Sequence, residues 1–420
     1  MPFPDQQALI NTSQKSNTMQ AVLIAAGESS RFWPLNREHK SQVRLLGRSI
    51  IYWTVKGLAE SGIRDIVVVC SKDSTIPAML KGENDLGVKL SFVTQEERLG
   101  TGNALWQARE FLTQSFFVVW PNKVTSGDLV QKVLAKQKQE NAKVVLVGTE
   151  TSTPWNYGVA RMEGNSVKGI VEKPKEGKEP SNVEIIGFYF LQPDFFSYYE
   201  KLPRHHETDF IDALNLYLQE KGASLVSVEK DMPTLKYPWE LFPLLDTLFQ
   251  FQTQRQIISP AAKIGEGTVI EGPVYIGEGC EIGPHNVLRG PLNLERGVKT
   301  GAFCEIKHSI VQEGTHFHSG YIGDSIVGKD CRFGAGFVSA NRRLDRAVIS
   351  PLVKDKKVDT GLTYLGTVVG DNAHVGIHAG TMPGVFIGSG VLVGPGTIVF
   401  ENVPDDTTLS SRFEQKRSSH

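Results

Sequence analysis

Three stretches of the chain carry residue types that could do chemistry. The first is AAGESSRFWPLNREHK, residues 25–40. Gly27 and its small neighbours let backbone N–H groups approach phosphate oxygens, and Arg31 and Lys40 supply the positive charge that a triphosphate requires. The spacing is neither that of a Walker A loop nor that of a dinucleotide fingerprint. The second is a set of histidines, His308, His316 and His318. Imidazole takes and gives protons near neutral pH, so each is a candidate general base, although histidines on surface turns are more often idle. The third is SANRRLDRAVISPLVKDKKVDTGLTYL, in which Arg342, Arg343, Lys354, Lys356 and Lys357 form either a solvated basic excursion or a surface for phosphate groups. The cysteines Cys70, Cys280, Cys304 and Cys331 have neither metal-ligand spacing nor the density of a disulfide scaffold.

These residues must be positioned by two kinds of element. MQAVLIAAG is a continuous apolar run ending in Gly, as expected of a parallel strand buried on both faces, and DIVVVCS, SFFVVW and KVVLVGT repeat the pattern. Between them, SIIYWTVKGLAESG puts Ile50, Ile51, Val55 and Leu58 on one helical face, and SGDLVQKVLAKQKQE offers a further helix. Alternating strands and helices predict a doubly wound α/β domain over residues 19–252, with ligands at the carboxyl ends of its strands. PWELFPLLDTLFQFQ, with Pro238 in its first turn, predicts a helix leading out of it.

After position 257 the grain changes. Ile258, Ile264, Ile270, Ile276, Ile282, Leu288 and Leu294 recur every sixth residue, and Gly265, Gly277 and Gly283 follow three of them. The frame returns in Val369, Val375, Thr381, Ile387, Val393 and Val399. A period of six fits neither a helix nor simple alternation. It fits a coil of three short flat strands whose aliphatics point into a prism, and it predicts a parallel β-helix over residues 257–403. Cys280, Cys304 and Cys331 hold the small fifth place of their hexads and are expected to be core residues. Residues 1–18 and 404–420 are polar and expected to be tails.

Composition narrows the function. The 420 residues hold 45 Lys plus Arg against 46 Asp plus Glu, so there is no global field to gather nucleic acid or an anionic membrane. No apolar run approaches the ~20 residues of a membrane span, and the polar start lacks the order of a signal peptide. A cytoplasmic protein is expected.

The loop at 25–40 resembles the signature of sugar-1-phosphate nucleotidyltransferases, and the resemblance continues in order through QEERLGTGNAL, YGVARM, GIVEKP and IIGFYFL. It implies that Gly27, Arg31 and Lys40 contact the nucleotide phosphates, with Arg31 and Lys40 catalytic. Gln95 and Thr101 would contact the base, Glu172 and Lys173 the sugar and phosphate, and Gly100 and Gly158 would belong to the substrate-binding set. The family uses magnesium held by two aspartates, but Asn122 and Thr234 stand at those places, and His39 replaces the proline before the distal lysine. A neutral amide or hydroxyl lacks the charge of a hard-cation ligand, so an impaired nucleotidyltransferase is expected.

The second half resembles the left-handed β-helix acyltransferase portion of bifunctional amino-sugar-phosphate acetyltransferase and nucleotidyltransferase enzymes, including archaeal ones. The likeness runs from NVLRGPLNL through GAFCEIKHS, HFHSGYIGDSIVG and FGAGFVSAN to MPGVFIGSG. It implies that Arg289 and Lys307, eighteen positions apart, grip the sugar phosphate, that His318 removes the amine proton, and that Tyr321 and Asn341 contact the sugar. Ala335 of the GAG turn, Arg342 and Lys356 are assigned to acetyl-CoA, with the basic excursion reaching a neighbouring subunit of a homotrimer. Arg332 stands where the family has an asparagine. The expected function is thus a bifunctional transferase using NTP, a sugar phosphate and acetyl-CoA. A regulatory or scaffolding protein that binds a nucleotide sugar without turnover is the alternative.

Overall fold

The long apolar runs become the centre of a nine-stranded sheet, because a run apolar at every position can be buried only where both faces are covered. In the computed structural model, which describes residues 19–164, 166–229 and 235–414, the sheet begins Lys89–Gln95, Asp65–Ser71, Gln20–Ala25, Phe116–Val119, all parallel. It continues Val183–Leu191, Val145–Glu150, Ala223–Val228, Ser166–Glu172, Gly158–Glu163, with Val183–Leu191 antiparallel to both neighbours. Alternate residues of the first strand enter opposite cores: Val22 packs with Leu105 and Tyr217 on one face, Ala21 and Leu23 with Ile51, Val55 and Leu58 on the other. The helices Ile50–Glu60 and Ser126–Glu140 lie on that second face, and Pro238 opens a short 3-10 turn that runs into helix Leu241–Gln250.

From Gln256 the chain winds into a prism of three parallel sheets with seven, eight and seven strands among the described residues. Three hexads complete one coil, so Ile258 pairs with Ile276 and Ile276 with Leu294. Later coils are shorter, Val311 pairing with Val327, and then the chain leaves the prism until Val369 pairs with Val327. The axis is filled by the hexad aliphatics, each side chain contributing about 1.5–3 kcal/mol on full burial. Cys280, Cys304 and Cys331 are buried among them, and burial pushes their thiols up to about 11, 11 and 12.

The excursion between Ser339 and Val368 packs on its own chain: Ile349, Val353 and Leu365 join Trp239, Phe242 and Leu245 in one apolar cluster. These aliphatics are what the reading as a solvated basic loop leaves out, and they must be covered. The same cluster takes in Ile310, Ile326 and Phe386 from the prism, so the two halves share a core. A hairpin, Arg44–Leu45 with Arg48–Ser49, completes the junction. Leu46 N–H donates to Asn293 Oδ1 at 2.7 Å, Gly47 N–H to Glu295 Oε1 at 3.0 Å, and Arg44 exchanges two bonds with the Gln312 amide. Gly47 has φ +78, and a Cβ there would lie 2.2 Å from the Tyr275 hydroxyl oxygen, so this turn requires glycine on two counts.

Candidate active sites

The first site is a pocket of about 320 Å³ at the carboxyl end of the sheet. Its wall brings together Lys40, Thr101, Gly158, Glu172 and Lys173, all named from sequence, with Asn122, Lys123, Gly187 and Lys236. The strand register explains one of them: Gly158 lies opposite Glu172, and a Cβ on it would sit 2.7 Å from the Glu172 carboxylate. Gly27 is explained differently. Its φ is not positive and nothing lies within 4 Å of where its Cβ would be, so the fold leaves open space beside this backbone, the condition for close approach of a ligand.

Electrostatics single out Lys40. Burial lowers its ammonium to about 8, opposed by the Glu240 carboxylate and reinforced by Lys236 and Arg31. Burial likewise lowers Lys236 and raises Glu240, whose carboxylate accepts the backbone N–H groups of Lys236 and Tyr237. Next to Lys40, burial and the charges of Lys40 and Arg98 hold His39 down at about 3, so it is neutral and accepts the Ser41 N–H through Nδ1 at 3.3 Å. Such a set of crowded, desolvated cations is suited to an anionic ligand that relieves their repulsion.

Two substrate-binding assignments, Gln95 and Gly100, are placed away from this wall. Gln95 is 3% exposed, and its amide donates to Gly100 O at 3.0 Å and Asn103 Oδ1 at 2.9 Å, so it braces the loop from beneath. Gly100 has φ +93 and touches the backbone of Glu207, where a Cβ would come within 2.2 Å of a carbonyl oxygen. Arg31 faces a larger adjoining cavity.

Of the two positions expected to hold magnesium, Asn122 is buried at the pocket and offers a neutral amide in place of a carboxylate, and Thr234 lies outside the described residues.

The second site lies on the prism. Arg289 and Lys307 are register neighbours on adjacent strands, and Arg289 is paired with Glu305 at 2.8 Å. Lys307 Nζ lies 3.2 Å from Asp324 Oδ2 and 4.7 Å from the centre of the Tyr364 ring, which Arg342 also approaches at 4.7 Å. Asn341 donates to Asp324 Oδ2 at 2.6 Å and to the Tyr321 hydroxyl at 2.9 Å, and His308 Nδ1 is 2.8 Å from Asp324 Oδ1. Asp324 therefore joins Lys307, Asn341 and, through Asn341, Tyr321. Burial would raise its carboxyl, but the bonds from His308, Lys307 and Asn341 hold it below the ordinary carboxylate range. Sequence reading passed over Asp324, the Lys307 partner Tyr364, and Lys236; the only local sign of Asp324 is its place after Gly323 at a corner, where it adopts φ 48.

His318 is not in this cluster. It stands exposed at the corner before strand Gly320–Gly323, in a groove of about 440 Å³ lined by His316, Arg332, Gly334 and His374. Of the residues assigned to acetyl-CoA, Ala335 follows Gly334 beside that groove, Arg342 lies over the Tyr364 ring, and Tyr364 and Lys356 both line the cavity between the two halves.

Comparison with known proteins adds to this geometry. The family model of nucleotidyl transferases matches residues 20–240, and that of bacterial transferase hexapeptides matches residues 257–290. A bifunctional sugar-1-phosphate nucleotidylyltransferase/acetyltransferase of Sulfurisphaera tokodaii is 32% identical, covering 92% of this chain and 98% of its own. The bifunctional protein GlmU of Methanococcus maripaludis is 28% identical over 94% of this chain and 98% of its own, and that of Methanocaldococcus jannaschii 26% over the same shares.

Proposed function

The chain belongs to the family of bifunctional sugar-1-phosphate nucleotidylyltransferase/acetyltransferases, and from that premise we propose that it transfers acetyl from acetyl-CoA to an amino-sugar phosphate and then a nucleotidyl group from an NTP to the acetylated product. The observation that carries the reading is the Asp324 cluster, which fixes Lys307, Asn341 and Tyr321 on one prism face beside Arg289.

In the acetyl transfer the cations hold a phosphate that does not react, and they place the sugar so that its amine faces the corner at His318. Strand Gly320–Gly323, about 10 Å long at the usual strand rise, separates the two ends, a span that a phosphorylated pyranose and two side chains bridge. The amine nitrogen attacks the thioester carbon, His318 takes the amine proton, the C–S bond breaks and the thiolate leaves to be protonated. Acetyl-CoA reaches that amine from the groove beside His318 and Ala335. Arg342 Nε, buried without a hydrogen-bond partner among the described residues, is a donor available to phosphate.

In the nucleotidyl transfer a sugar-phosphate oxygen attacks the α-phosphorus and pyrophosphate leaves. Lys40, with Arg31 and Lys173, neutralises the charge that develops, and Gly27 admits the phosphates to the backbone. With a neutral amide at Asn122, this half leans on side-chain cations and runs slowly. We also place the chain in a homotrimer assembled through prism faces, since Val338, Ile398 and Phe400 expose 48%, 44% and 69% of their surface near one end of the prism.

A paired assay of purified protein tests the function. Free thiol from acetyl-CoA plus amino-sugar phosphates, and pyrophosphate from NTP plus acetylated sugar phosphates, are both expected. Nucleotide-sugar binding with neither product would instead establish the scaffold alternative.

A further inference from the structure

The stretch between Gly27 and Ser49 belongs to the α/β half, yet the prism holds it on both sides of Lys40. Before Lys40, Trp33 Nε1 donates to Asp405 Oδ1 at 3.1 Å, the Ser389 hydroxyl to Pro34 O at 3.4 Å, and Lys329 Nζ to Glu38 Oε2 at 2.9 Å. After it, Arg44, Leu46 and Gly47 bond to Gln312, Asn293 and Glu295. Phe32 and Leu35 are buried in the core that the halves share, with Phe386 of the prism. The prism groups before Lys40 are themselves joined. Ser389 N–H donates to Asp405 Oδ1 at 2.7 Å, Asp371 N–H to Ser389 Oγ at 3.0 Å, and Lys329 N–H to Asp371 Oδ1 at 2.8 Å. They form one socket along successive corners, just beyond the register neighbours Val327, Val369, Ile387 and Val403.

Such a socket answers a physical need. Burial and the charges of Lys236 and Arg31 disfavour the Lys40 ammonium, with the Glu240 carboxylate opposing them, so a loop left to itself relaxes by swinging that ammonium into water. Its own half ties the loop down through Thr75, whose hydroxyl donates to Gln42 Oε1 at 2.7 Å. The prism adds the ties at Trp33, Pro34 and Glu38. Burial opposes the Lys329 charge as well, but the Glu38 carboxylate bonded to it, with Asp371 and Glu313 nearby, holds its ammonium above the ordinary value. We propose that Lys329, Ser389 and Asp405 are positioning residues for nucleotidyl transfer: through Glu38, Pro34 and Trp33 the prism holds the loop so that Lys40 stands at the pocket of the other half. The inference rests on the nucleotidyl half of the reading above. Displacing a catalytic group by about 1 Å can cost about 10²-fold in rate, which is the scale of what the socket protects.

The test uses the full chain carrying Lys329→Met and Asp405→Ala, singly and together, with N-acetylglucosamine 1-phosphate and UTP, then dTTP in place of UTP. In the double variant kcat for pyrophosphate release should fall by about tenfold or more, and hydrogen exchange of amides 30–42 should accelerate. The loss of nucleotide affinity above about pH 8 should move toward 10.5 as Lys40 regains water. Far-ultraviolet circular dichroism and thiol release from acetyl-CoA should match the wild type, which separates a displaced loop from a failed fold. Lys329→Arg, which keeps a cation for Glu38, should retain the wild-type rate and pH limb. Wild-type kcat and pH limb in the double variant overturn the brace and leave the bifunctional reading standing, and so does equal damage from Lys329→Arg and Lys329→Met. If the wild type binds nucleotide without releasing pyrophosphate, the nucleotidyl reading falls, while the affinity limb and amide exchange still decide the brace. Absence of nucleotide binding overturns both.

Discussion

Burial holds the Lys40 ammonium at about 8 against an ordinary 10.5, so its charge is lost within the range where enzymes are assayed. The proton is held less tightly in the folded protein than in the unfolded chain, so between these two values stability rises with pH. Nucleotide binding moves the other way, because the triphosphate needs the charged form. NTP affinity should fall by up to about tenfold per pH unit above 8, and Lys40→Arg, a permanent cation, should flatten that limb in titrations followed by calorimetry. At the prism two roles separate. His318→Ala removes a base and leaves the phosphate grip, so kcat for thiol release should drop by about 10²- to 10⁴-fold with little change in KM. Asp324→Asn keeps the shape but removes the charge that orders Lys307, and chiefly KM for the amino-sugar phosphate should rise, by about tenfold. The reverse split would exchange the two roles. At Asn122 the expectation concerns magnesium: wild-type pyrophosphate release should respond weakly to it, and Asn122→Asp should make the rate magnesium-dependent and faster. Strong magnesium dependence without the substitution would mean that another acid serves.

Among the elements, the Arg44–Ser49 hairpin has an importance out of proportion to its length. Its exposed-looking sequence RLLGRS docks on the prism because Asn293, Glu295 and Gln312 present buried acceptors where its N–H groups point. Truncating Asn293 to Ala leaves the Leu46 N–H without its acceptor. Folding stability in urea titrations should fall by about 1–3 kcal/mol, and amides 44–49 should lose hydrogen-exchange protection. An unchanged midpoint would mean that water replaces the side chain. The excursion between Ser339 and Val368 makes the same point in reverse: its charges are conspicuous in the sequence, yet Ile349, Val353 and Leu365 decide where it lies.

At the scale of the whole molecule, the prism gives the chain an axis with apolar side chains exposed near one end, and the proposed trimer follows from covering them. Light scattering should give three times the chain mass of 46.3 kDa, and Val338→Lys with Ile398→Lys should return the monomer with its folding transition intact. A monomeric wild type would overturn the trimer.

The sequence by itself determined the two architectures and much of the first pocket. A continuous apolar run has one stable setting, and a period of six with glycines at the corners has one too, because both patterns are local and repeat. Glycine at 158 and the cations at 40 and 173 were legible for a related reason: phosphate chemistry narrows residue types over short spans. Asp324, Tyr364 and Lys236 were not, since a buried carboxylate, an aromatic and a lysine are common residues that acquire meaning only from what distant segments bring to them. Tertiary structure alone set Gln95 beneath its loop, put His318 and Lys307 toward opposite ends of strand Gly320–Gly323, and brought Asp324 to Lys307, His308 and Asn341. Each of these depends on which apolar surfaces meet across hundreds of residues, and no local pattern encodes that choice.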